Sequence, residues 1–233
     1  MQILGTLERI FIGKAIPFEK KGTDRVFKSA INKSLISGPV NVNEMGIIGD
    51  EVGDTKIHGG IDKAVHLYPS EHYEFWKSEL ENCNDLNQFG AFGENLSTSG
   101  ISEKDVCLGD EIKIGTCVFE VVQTRQPCWK LNVKFERNNM SRLMQDSLKT
   151  GWYFKVLQVG VMVAGDDIIL INRPNPSWSL NKVVNLLYKD KLNYSDLSEL
   201  AKLRLVPSWQ KMVTNRLKNK KVEDWTGRLE GKD

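Results

Sequence analysis

The sequence predicts a mainly β domain, a barrel or a sandwich, followed by a small bundle of three helices. Three observations carry this. Between residues 89 and 123, short strand-like runs alternate with Gly and Asp turns, the pattern of an all-β architecture. Asn172-Arg173-Pro174-Asn175-Pro176-Ser177 places two prolines in a polar run, which marks a linker. Beyond it the apolar residues recur with helical spacing.

The elements follow in order. Residues 1–12 alternate loosely and predict a first strand. Residues 17–28, with Pro17, Lys20, Lys21, Gly22, Asp24 and Lys28, predict a polar, basic loop. Val40-Asn41-Val42 predicts a strand, Met45 to Asp50 a turn, and His58-Gly59-Gly60 a break. Val65-His66-Leu67-Tyr68 predicts a short buried strand. Ser70 is placed to cap a helix over residues 71–80, where Tyr73, Trp76 and Leu80 share one face. Strands are expected at 93–96, 109–114, 117–122, 151–157 and 167–171, and a short amphipathic helix at 141–148. After the linker, Ser177 or Ser179 caps a helix bearing Val183, Leu186 and Leu187. Ser195 or Asp196 caps a second with Leu197, Leu200, Ala201 and Leu203, and Ser208 starts a third with Met212, Val213 and Leu217.

Composition narrows the class. The chain has 233 residues, is 40% hydrophobic and carries a formal net charge of +2, which argues against a nucleic-acid surface built on overall charge. No apolar run reaches the roughly 18 residues that span a bilayer. Met1-Gln2-Ile3-Leu4-Gly5 has no signal-peptide character. The four cysteines, Cys83, Cys107, Cys117 and Cys128, form no C-x-x-C pair and no zinc-finger spacing with histidine. A cytoplasmic protein with reduced thiols is expected.

The most informative stretch is Gln123 to Asn132. A strand-like run, Cys117 to Val122, leads to Pro127, which cannot donate to a ladder and should end the strand. Cys128 then sits on a loop between Arg125 and Lys130, cations that favour the thiolate, the form that attacks or binds metal. A free cysteine can equally be a small buried apolar residue. His58-Gly59-Gly60-Ile61-Asp62-Lys63 allows close backbone approach to a ligand with Lys63 supplying charge, or is a tight turn. Phe92 to Gly100, with Asn95, offers small polar groups to an anion or heterocycle edge, or satisfies its own backbone. Asp50, read alone, is a turn residue. His58, His66 and His72 fit no H-E-x-x-H site, and no dinucleotide, P-loop or nucleophile-elbow motif is present.

Together, Gly46 to Asp50, the 57–65 stretch with Tyr68-Pro69, Phe92 to Thr98, Leu108-Gly109-Asp110 and Arg125 to Asn132 resemble the MOSC proteins, specifically the YiiM-like subgroup. The resemblance covers nearly the whole chain. It implies a MOSC-type β-barrel over residues 1–173, a linker at 174–178 and a "3-alpha" domain of three helices over 179–233. It also implies molybdenum cofactor, a pyranopterin dithiolene carrying a phosphate, with Cys128 as thiolate ligand to the metal. Lys33 and Ser34 fall where related enzymes place a Lys-Ser pair, and Lys63, Arg125 and Lys130 are further partners for the anion. Asn95, Gly59 and Gly60 would line the same pocket. The implied reaction is reduction of N-hydroxylated bases such as 6-hydroxylaminopurine to amines. Asp50 or His58 would be the general acid, and a separate flavin or iron–sulfur protein the electron donor, since the chain has no ferredoxin-type cysteine spacing. A sulfur carrier using a Cys128 persulfide and a non-enzymatic cofactor-binding module are the alternatives. Lys211, Arg216, Lys218, Lys220 and Lys221 either dock an acidic donor protein or form a solvated helix face.

Overall fold

The computed structural model describes residues 1–20, 24, 26–55 and 58–231. Lys21 and Gly22 of the expected basic loop, and Ile57 of the 57–65 stretch, lie outside them. The strands are β1 (Gln2–Gly13), β2 (Ile16–Glu19), β3 (Val26–Ser29), β4 (Lys33–Ile36), β5 (Val40–Asn43), β6 (Gly46–Ile47), β7 (Val65–Pro69), β8 (Leu96–Ser99), β9 (Glu111–Ile114), β10 (Cys117–Thr124), β11 (Trp152–Gln158), β12 (Gly160–Met162) and β13 (Asp167–Asn172). The helices are α1 (His72–Glu79), α2 (Lys130–Lys134), α3 (Met140–Ser147), α4 (Leu180–Tyr188), α5 (Tyr194–Leu200), α6 (Pro207–Asn219) and α7 (Thr226–Glu230).

Seven strands close a barrel in the order β13-β9-β10-β11-β7-β8-β1, with β1 returning to β13. Closure leaves the ring no free edge. The long β1 makes this possible by changing partners along its length: Gln2 to Thr6 pair with β13, Thr6 to Ile10 with β8, and Ile10 to Gly13 with β4. Bulges at Ile3/Gly5 and Leu7/Arg9 bend it from one partner to the next. Among the described residues, only β7 and β8 pair in parallel. Leu7, Ile10, Val65, Leu67, Leu96, Ile112, Ile114, Phe119, Trp152 and Phe154 point inward and form the core. A second cluster, including Tyr68, Tyr73, Trp76, Phe92, Leu131 and Phe135, lies outside the barrel and seats α1, α2 and α3.

Several expectations are corrected. Residues 17–28 are not simply a loop: β2 and β3 form a hairpin with Phe18 opposite Phe27. Phe18 is buried and the Phe27 ring packs edge-on to Trp129 at 4.6 Å, so two aromatics in a basic run override its polarity. Ser70 does not cap α1 with its side chain; it gives its backbone carbonyl to Tyr73, and Glu71 holds the cap position. Asn193, rather than Ser195 or Asp196, caps α5 by accepting from Asp196 N. Pro207, at the first position of α6, starts that helix in place of Ser208. Ser179 does cap α4. The three expected helices are α4, α5 and α6, and a further short helix, α7, follows them.

The proline-rich segment is pinned to the barrel. Arg173 forks onto the buried Asp110 carboxylate, with Nη2–Oδ2 at 2.7 Å and Nε–Oδ1 at 3.0 Å. Asn175 donates to Leu108 O at 2.9 Å, and Leu108 N donates back to Trp178 O. Leu180, Val183, Val184 and Leu187 of α4 are completely buried in the same core as the barrel residues.

Candidate functional site

The site begins where β10 ends. Arg125 makes the last barrel hydrogen bond on this strand, its N donating to Gly151 O at 3.1 Å. Its guanidinium turns inward and donates to Phe92 O. Pro127 stops the ladder, as its chemistry requires, and Cys128 follows on the turn into α2. Helix α2 is only five residues long and makes few bonds of its own. Leu131 and Phe135, buried against Phe92, hold it down, and full burial of such side chains is worth about 2 kcal/mol each.

The opposite wall comes from the loop after β6. Gly53 passes so close to β3 that a Cβ would stand 2.3 Å from Lys28 O. That carbonyl also accepts from the Lys130 ammonium at 3.3 Å, so one backbone atom joins both walls. His58 N closes a turn onto Asp54 O at 2.9 Å. Gly60, at φ +100°, then reverses the chain into a short 3-10 turn that carries Lys63.

Cys128, His58, Lys63, Lys130, Arg125, Lys33, Asp50 and Asn95 thus line one cavity of about 120 Å³. Met45 and Val52, both exposed, also line it and form its outer rim. The Cys128 sulfur is 3.4 Å from His58 Nε2, and His58 Nδ1 is 3.6 Å from Asp54 Oδ2. Burial, reinforced by the charges of Lys130 and Lys63, pushes the His58 pKa down to about 4. The ring is therefore neutral at physiological pH. Burial also lowers the pKa of Lys63 and Lys33.

Asp50 serves a different purpose. Its Oδ1 accepts from Lys33 Nζ at 2.6 Å and from Gly13 N at 2.7 Å, and its Oδ2 from Asn95 Nδ2 at 2.8 Å. Asn95 in turn accepts from His66 N at 3.0 Å. This knot ties β1, β4, β7 and the residues before β8 into one floor.

Ser34 is not brought to the cavity. It alternates with Lys33 along β4 and faces solvent. Gly59 and Gly60 do not line it either; they shape the turn that delivers His58 and Lys63. Sequence reasoning missed Tyr153, His66 and Asp54, which also line the cavity. His66 packs on Tyr153 at 4.9 Å, and its Nε2 is buried. The alternation of Val65, His66 and Leu67 gave no hint that the polar member would face a ligand space. Among the described residues, no helix is long and apolar enough to cross a membrane.

A closed barrel with a cysteine, an imidazole and several cations around one cavity at a barrel end defines the class. Residues 54–169 match the MOSC domain model, and residues 178–220 match that of the YiiM-like 3-alpha helix domain. The chain belongs to the MOSC family and is of the YiiM-like type. It is 35% identical to Protein YiiM of Escherichia coli over 207 residues, 88% of this chain and 91% of that one. It is 34% identical to the uncharacterized protein YflK of Bacillus subtilis, covering 84% of each. A protein of Gibberella moniliformis named "Reductase" is 36% identical over 195 residues; the match spans 82% of this chain but only 34% of that protein. Among solved structures, YiiM from Escherichia coli superposes with a TM-score of 0.78 at 27% identity, covering 98% of both chains. YiiM from Geobacillus stearothermophilus gives 0.75 at 31% identity, covering 91% of this chain and 99% of that one.

Proposed function

We propose that this protein binds molybdenum cofactor in the Cys128 cavity and reduces N-hydroxylated bases to amines. The observation that carries the reading is a single thiol set in a cavity whose walls hold Lys33, Lys63, Arg125 and Lys130. Asp50 pairs with Lys33, and Glu51 is turned to Lys14 and Ala15 N; Lys63, Arg125 and Lys130 line the cavity beside the thiol and are the cations that meet an anion there. One sulfur with such neighbours suits a soft metal that brings its own sulfur ligands and negative charge. The family assignment supports the same cofactor, and the relative named "Reductase" supports the reaction class.

When bound, the cofactor supplies the two-electron redox centre. The protein supplies the rest. Cys128 is the ligand to the metal. Arg125, Lys63 and Lys130 receive the phosphate and dithiolene charge. The overall change is R–NHOH plus two electrons and two protons giving R–NH2 and water. His58 is the proton carrier: with Nε2 at Cys128 and Nδ1 toward Asp54, the neutral ring takes a proton at one nitrogen and gives one from the other. Asp50, fully engaged by its three donors, positions Lys33 and Asn95. The electrons come from a separate flavin or iron–sulfur protein.

The test is turnover of 6-hydroxylaminopurine by protein made in a cofactor-producing host, with reduced viologen as electron source. Adenine should form with the wild type and not with Cys128→Ala. Equal rates for wild type, Cys128→Ala and viologen alone would remove the proposal.

A further inference from the structure

The last helix of the chain lies on the cysteine loop. Trp129 N donates to Arg228 O at 2.8 Å. Asn132 Nδ2 and Ser141 Oγ both donate to Leu229 O, at 2.8 and 2.7 Å. The Arg228 guanidinium spans two elements, donating to Pro127 O and to Gln145 Oε1 on α3. Leu229 is 1% exposed. Gly231, at φ +65°, ends α7 so close to Trp129 that a Cβ would sit 2.7 Å from its ring. The residues on either side of Cys128 are therefore both held by a segment a hundred positions away.

The tail is itself anchored. Arg216 of α6, with no exposed side-chain surface, donates to Glu223 at 2.7 and 3.0 Å and to Leu187 O at 2.9 Å. Glu223 accepts from Trp225 Nε1 at 2.7 Å, and Trp225 packs edge-on to Tyr188 of α4. These contacts join the helical bundle to the segment that reaches Pro127. The segment that makes the final contacts, residues 221–231, lies beyond both matched family models.

We propose that Arg228 is a positioning residue for Cys128: it fixes the Pro127-Cys128-Trp129 turn so that the sulfur faces His58, and the helical bundle exists in part to hold it there. The inference rests on the proposed role of Cys128 as the reactive ligand of this site. Without the guanidinium, Pro127 O loses its partner, the turn opens locally, and the sulfur leaves the imidazole.

The experiment uses full-length protein without cofactor, so its outcome does not depend on the proposed reaction. Cys128 and Cys83, the two half-buried thiols, are alkylated with iodoacetamide in wild type, Arg228→Ala and Arg228→Lys, and both rates are read by peptide mass. The Cys128-to-Cys83 rate ratio should rise about threefold or more in Arg228→Ala as local opening exposes the turn. It should be restored in part by Arg228→Lys, which keeps one of the two donated bonds. In the imidazole NMR spectrum the His58 resonance should move in Arg228→Ala while those of His66 and His72 stay. If Arg228→Ala does not fold, Arg228→Lys carries the same two readouts with smaller changes. An unchanged ratio together with an unmoved His58 resonance in the folded variants would overturn the proposal.

Discussion

The Cys128 sulfur and His58 Nε2 stand 3.4 Å apart although seventy positions separate them. The barrel brings them together from two directions: β10 delivers the cysteine past Pro127, and the turn ending at Gly60 delivers the imidazole. Burial and the nearby lysines keep the imidazole neutral, and Asp54 stands on its far side, Oδ2 3.6 Å from Nδ1.

That neutrality is visible in the pH dependence of stability. The ordinary histidine value of 6.5 falls to about 4 in the folded protein. Between those values the unfolded chain binds a proton that the folded chain does not, so stability drops as pH falls from about 6.5 to about 4. Above 6.5 the contribution is complete. Replacing His58 by Gln removes this slope. The loss in unfolding free energy between pH 7 and pH 5 should be smaller in His58→Gln than in wild type by about 1 kcal/mol, allowing for the ring's partial exposure. Parallel urea titrations at the two pH values measure it, and identical slopes would contradict the neutral ring.

Lys33 and Asp50 should behave as one unit. Both side chains are mostly buried, and Asp50 also satisfies Gly13 N and Asn95. Asp50→Ala leaves the ammonium unpaired and should cost about 3 kcal/mol. Lys33→Met leaves Asp50 two of its donors and should cost less. The double variant Lys33→Met/Asp50→Ala should fall short of the sum by about 1 kcal/mol or more, read by chemical denaturation. Strict additivity would mean that the pair is not coupled.

Gly53 sets the distance between the two walls of the cavity. Its missing Cβ would lie 2.3 Å from Lys28 O, the same carbonyl that holds Lys130. Gly53→Ala should lower stability by about 1–3 kcal/mol through overpacking. Because it moves β3 and Lys130 as well, it should also weaken binding of a small oxyanion such as phosphate, as seen by calorimetry.

The proposed reductase needs an outside electron source. Holoprotein with NADH as sole reductant should give no product from 6-hydroxylaminopurine, and addition of a flavin or iron–sulfur reductase should start turnover. Turnover with NADH alone would show that the chain accepts electrons from the nicotinamide itself.

Much of this was legible in the sequence because it depends on local chemistry. Pro127 announced the end of β10, the flanking Arg125 and Lys130 marked Cys128, and the spacing of Val183, Leu186 and Leu187 gave α4. What stayed hidden depends on partners far along the chain. Asp50 looked like a turn residue or a general acid; its three donors come from β1, β4 and the residues before β8. Ser34 was paired with Lys33 by resemblance, but strand alternation sends it to solvent. Phe18 and Phe27 made a hairpin of a stretch whose composition was that of a loop, because Trp129 was there to receive them. Helix α7 had no periodic apolar face to announce it: Thr226 to Glu230 offers only Leu229, and what holds the helix is the cysteine loop itself.

The central claim is that Cys128 holds the molybdenum of a bound cofactor. The direct measurement is molybdenum and pterin per chain in protein purified from a host that makes the cofactor, beside Cys128→Ala. Near-stoichiometric metal with pterin in the wild type, and loss of the metal in the variant, is the predicted result. Equal metal in both proteins, or neither metal nor pterin in the wild type, would contradict it.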